Sequence, residues 1–63
     1  MVGAEGVVLE EIDNVKNTGR VRVKKDEWRA DSEMDEIIPE GTRISVMRMD
    51  GTHLVVRRIK EEE

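Results

Sequence analysis

Apolar and polar residues alternate most cleanly between Gly19 and Ala30. Val21 and Val23 interleave with Arg20, Arg22 and Lys24, and further on Trp28 and Ala30 interleave with Glu27 and Arg29. A period of two sends successive side chains to opposite faces, so each run predicts a strand with one dry face and one wet face. With a tip at Lys25-Asp26 the two strands fold into a hairpin. Val21, Val23, Trp28 and Ala30 then share the dry face, and Arg20, Arg22, Lys24 and Arg29 line the wet one. Upstream, Gly3 to Ile12 predicts a long first strand with imperfect alternation. Gly6 inside it marks a bulge or bend, which lets one strand serve both ends of a curled sheet. Asp13 to Gly19 reads as a polar loop.

Downstream, Asp31 to Glu36 is an acidic connection. Ser32 with Asp35 three residues on is the start signal of a short helix, which Pro39 ends within a turn or two. Ile37-Ile38 is the expected apolar plug beneath it. Thr42 to Met49 predicts a fourth strand whose alternation slips at Met47, the signature of a bulge. Asp50-Gly51 predicts a type I′ hairpin tip, His53 to Ile59 the returning fifth strand, and Lys60 to Glu63 an acidic tail. Five strands, glycine-bearing turns and at most one short helical turn predict an all-β fold: a small five-stranded antiparallel barrel of the oligonucleotide/oligosaccharide-binding (OB) type. It spans 1–63 as a single domain, with an ordered core over about 3–59. An SH3-like barrel is the alternative.

Composition narrows the reading. Sixty-three residues make one small domain. With no cysteine, a disulfide scaffold and a thiolate zinc site are excluded. The longest apolar run, Val7-Val8-Leu9, is far short of the roughly 20 residues of a membrane-spanning helix. The net charge of −4 is unevenly spread. Residues 1–13 hold four acids and no base, whereas 20–29 hold five bases and two acids. After the acidic first strand the strands are basic and the connections acidic, which serves solubility and edge protection and also permits an anion-seeking face.

Arg20, Arg22, Lys24 and Arg29 are therefore the candidate partner-binding residues, with pairing to Glu27 or Glu5 as the plainer account of them. Single-strand binders stack successive bases on several aromatics. Trp28 is the only aromatic here, and its phase points inward. Asp31, Glu33 and Asp35 imitate a calcium loop, but Glu36 stands where glycine is required and Thr42 where the bidentate glutamate belongs. His53 has no second metal ligand at a recognisable spacing, and Ser32 and Ser45 have no activating base. No catalytic, cofactor or metal site is read. Met34, Met47 and Met49 read as core filler, with an adaptable apolar contact surface as the alternative.

Gly3 and Gly6, the apolar Val7 to Ile12, Gly19, Trp28-Arg29-Ala30, the acidic Asp31 to Glu36, Gly41-Thr42, and Met49-Asp50-Gly51 followed by Leu54-Val55-Val56 occur in a telling order. In that order and spacing the chain resembles the C-terminal soluble domain of the NfeD family, from Gly3 to about Ile59. The resemblance implies an OB-fold barrel without an enzymatic site or cofactor. It also implies a membrane-tethered parent, on an unassigned side of the membrane, whose partner is a stomatin-like membrane protein of the SPFH group. Longer members carry a serine protease domain, and none of it is in this chain. The basic run through Arg20, Arg22, Lys24 and Lys25 is heavier than the family pattern requires, so its role does not transfer. The expectation is a non-catalytic protein-interaction module. The alternative is a single-stranded nucleic-acid-binding OB-fold using the basic face of strands two and three, against which the lone aromatic and the net negative charge both count.

Overall fold

The computed structural model describes residues 2–59. Within them β1 (Glu5–Asp13), β2 (Thr18–Val23), β3 (Asp26–Ser32), β4 (Arg43–Asp50) and β5 (His53–Arg58) form one closed barrel in the order β1-β2-β3-β5-β4. Four of its ladders are antiparallel, and the fifth, β3 against β5, is parallel. A parallel pair needs a crossover rather than a tight turn. Here β4 and the connection before it make that crossover, which gives the OB strand order. The five-stranded all-β barrel stands, with the parallel join added.

The period-2 pattern does what it promised. In β2, Gly19, Val21 and Val23 are buried while Arg20 and Arg22 are exposed. Val8, Ile12, Val21, Val23, Ala30, Ile38, Ile44, Val46, Leu54 and Val56 make up the buried core. Their β-branched side chains suit a pleated, half-buried surface. Trp28, paired with Val21, is partly buried and packs against this cluster. Its Nε1 is buried with no hydrogen-bond partner among the described residues.

Gly6 sits where β1 is shared. Glu5 to Val7 pair with β4, and from Val7 onward β1 pairs with β2. A Cβ on Gly6 would lie 2.3 Å from the Arg22 carbonyl oxygen. The missing side chain is what lets β2 come this close. Register shifts in β1 between Val8 and Glu10 and between Glu10 and Asp13 account for its imperfect alternation. The expected bulge in β4 falls between Val46 and Arg48, at Met47.

Several local expectations need correcting. Val23 pairs with Asp26, so the first hairpin tip is Lys24-Lys25, one residue earlier than expected, and Lys24 turns the chain at φ 58°. Asp50 pairs with His53, so the second tip is Gly51-Thr52. Only Gly51 of that pair has positive φ, as in a type II′ rather than a type I′ turn. No helix forms after β3 among the described residues. Ser32 Oγ does accept a hydrogen bond from the Glu36 N–H at 2.9 Å, but Asp35 turns left-handed at φ 60°. The segment is drawn out by two ties. The Asn14 side chain pairs with Ser32 as a strand would, its Oδ1 accepting from Ser32 N–H and its Nδ2 donating to Ser32 C=O. Beyond it, Ile38 and Ile12 exchange backbone hydrogen bonds at 2.9 and 3.0 Å. Ile38 alone is the plug, fully buried, while Ile37 is exposed. Met34 and Met49 are exposed rather than core filler, and Met47 is half-buried. The expected acidic tail lies outside the described residues.

Candidate partner-binding surface

The four candidate residues divide into two pairs. Arg20 and Arg29 stand directly opposite each other on β2 and β3, an arrangement unfavourable for like charges. Each is drawn aside. Arg20 Nη1 lies 3.6 Å from Glu27 Oε1, and Arg29 Nη2 donates to the Asn17 carbonyl at 3.0 Å. Both contacts are exposed and contribute at most about 1 kcal/mol each. Glu27 thus neutralises Arg20 as the plainer reading had it, whereas Glu5 turns to Arg43 at 3.3 Å.

Arg22 and Lys24 are placed elsewhere. Val7 of β1 pairs on one side with Arg22 of β2 and on the other with Arg43 of β4. Directly paired residues share a face, so Arg22, Val7 and Arg43 form an outward-facing row across three strands. Together with Glu5, Gly6 and Lys24 they line an open depression of about 490 Å³. Among the described residues no hydrogen bond or ion pair holds the side chain of Arg22 or Lys24. Arg43 is the member that sequence reasoning missed, because it joins only when β1 and β4 close the barrel.

Lys24 is also held in a left-handed conformation that costs a non-glycine residue about 1 kcal/mol. Lys24→Gly is therefore expected to raise stability by about 0.5–1 kcal/mol, seen as a higher urea midpoint. An unchanged or lower midpoint would show the turn to be unstrained.

The remaining candidates have structural partners. Of the imitation calcium loop, Asp31 Oδ2 lies 2.9 Å from His53 Nε2, Glu33 Oε1 2.9 Å from Arg57 Nε, and Asp35 Oδ1 2.9 Å from Asn14 Nδ2. Each carboxylate faces a different neighbour. The sequence signal for His53 missed Asp31, which arrives through the parallel β3–β5 ladder.

A closed five-stranded barrel with a filled apolar interior and almost all of its charged groups outside, Asp13 excepted, is a small OB-type domain. The NfeD-like C-terminal, partner-binding domain matches residues 1–58. The chain belongs to the NfeD family. It is 34% identical over 62 residues to the membrane-bound protease PH1510 of Pyrococcus horikoshii, covering 98% of this chain and 13% of that protein's length. Its fold matches the C-terminal domain of the stomatin operon partner protein 1510-C of the same organism, with a TM-score of 0.84 and 33% identity over 97% of this chain and 91% of that one. It also matches the soluble domain of a Corynebacterium glutamicum membrane protein implicated in regulation of membrane protease activity. That TM-score is 0.75 at 31% identity, over 97% of this chain and 92% of the other.

Proposed function

We propose that this chain is a non-catalytic partner-binding module, the soluble domain of a membrane-tethered NfeD-like protein. It engages a stomatin-like protein of the SPFH group through an exterior that includes Arg20, Arg22, Lys24 and Arg29. The observation that carries the reading is the match to a partner-binding domain along almost the whole chain. The relative named as a stomatin operon partner supports the choice of partner. The chemistry of the barrel agrees with work done by a surface. Its interior is filled by valine, isoleucine, leucine and alanine side chains. Ser32 Oγ is engaged in shaping the β3–β4 connection. A nucleic-acid reading lacks its stacking platform, since the lone indole packs on the core.

The test is capture of a stomatin-like protein by the labelled chain, followed through amide shifts, with single-stranded DNA titrated separately. Saturable shifts with the protein and none with DNA are expected. Arg20→Ser, Arg22→Ser and Arg29→Ser together should leave the circular dichroism unchanged and weaken capture roughly tenfold at low salt. Undiminished capture would reject the basic exterior, and salt-dependent DNA binding would replace the reading.

A further inference from the structure

We infer that Arg22, Lys24 and Arg43 form a docking site for an acidic, extended segment of a partner protein, laid across β2, β1 and β4 over Gly6 and Val7. This rests on the partner-binding reading above and specifies its chemistry. It also moves the centre of the basic exterior from the Arg20–Arg29 pair to Arg22 and Lys24, whose side chains have no hydrogen bond or ion pair among the described residues.

The geometry selects the ligand. Arg22 and Arg43 flank Val7 on neighbouring strands. Their backbones therefore stand two strand spacings apart, about 10 Å, which is the rise of about three residues of extended chain. Carboxylates two or four residues apart share one face of an extended segment, about 7 or 13 Å from each other, and the long arginine side chains make up the difference. The floor between them is partly apolar, since Val7 is half-buried there. The depression is open rather than enclosed, the shape for a passing chain and not for a small molecule. Lys24 projects from the adjoining turn in a conformation that glycine would adopt more easily, and such strain gathers at functional positions.

Charge complementarity names the occupant. Three cations and one acid line the depression in a chain whose net charge is −4. Glu5 already sets a carboxylate on Arg43 at 3.3 Å, showing how an incoming acidic side chain would be held and competing with it. A flat anionic membrane is the poorer fit. It would also meet Glu27, which stands opposite Arg22 on β3, whereas a narrow peptide running from β2 to β4 meets only the cluster and Glu5.

Amide-shift titrations of the labelled chain with hexaglutamate, with hexaglutamine, and with phosphatidylglycerol–phosphatidylcholine vesicles test this. Hexaglutamate should move Glu5 to Val7, Arg22 to Lys24 and Arg43, reversibly with salt, while hexaglutamine moves none of them. Arg22→Gln with Lys24→Gln should weaken the peptide about tenfold, and Glu5→Gln should strengthen it about threefold by removing one competing carboxylate. Shifts centred on Arg20 and Arg29 or on Arg57 and Arg58 would overturn the site. Vesicle binding stronger than peptide binding would overturn the choice of a protein ligand. The two readings fail separately. Capture of the stomatin-like protein undiminished by the double substitution removes the site and keeps the function, whereas hexaglutamate binding without such capture does the reverse.

Discussion

Gly6→Ala is expected to cost about 3 kcal/mol, as overpacking against a backbone atom does. The added methyl would sit 2.3 Å from the Arg22 carbonyl oxygen and 2.9 Å from Val23 Cγ2. The carbonyl cannot swing away as the end of a long side chain would, so the β1–β2 ladder itself must shift. For a chain of this length, total stability is roughly 3–9 kcal/mol. The loss is therefore a large part of the whole. Gly41→Ala is the natural comparison, since Gly41 has φ 89° but no atom lies within 4 Å of the place its methyl would take. It should show only the conformational cost, about 1–2 kcal/mol. Equal urea midpoints for the two variants would mean that β2 does not lie against Gly6.

Ile38→Ala should be comparably damaging, at about 2–4 kcal/mol. Ile38 lies outside every strand, yet it is fully buried and bridged to Ile12. Its side chain closes the barrel where the β3–β4 connection passes beneath. Ile37→Ala, one residue away, removes a side chain that is 55% exposed and should change stability by no more than about 0.5 kcal/mol. Chemical denaturation of the two variants side by side decides the point. If both lose the same stability, the plug is shared and the orientation of the connection is wrong.

The contrast between Ile37 and Ile38 marks the limit of what the chain's pattern conveys. Strand positions were legible because one buried face demands a period of two, and β2 and β3 follow it closely. Both hairpin tips fell one residue from the expected place for a reason the pattern cannot resolve. Moving a two-residue tip by one changes the pairing by two, so the same side chains stay inside. Which residues stand opposite each other, Trp28 rather than Ala30 beside Val21, is decided by packing that the alternation does not encode. The Ser32 capping signal was real, but Asn14, eighteen residues earlier, drew the backbone of Ser32 into a strand-like pairing. The candidate surface was half legible in the same sense. The outward direction of Arg20, Arg22 and Arg29 follows from alternation, whereas the meeting of Arg22 with Arg43 depends on barrel closure.

The edges of β4 carry one last consequence. On one side the Gly3 N–H donates to Val46 C=O, and on the other the Ile59 N–H donates to Arg43 C=O. The polypeptide thus enters and departs within three residues of each other along a single strand. Any leash joined at either end would start from the flank that bears Arg43. On the reading proposed above, the length of such a leash would govern whether a bilayer anchor and an acidic visitor fit beside β4 at once.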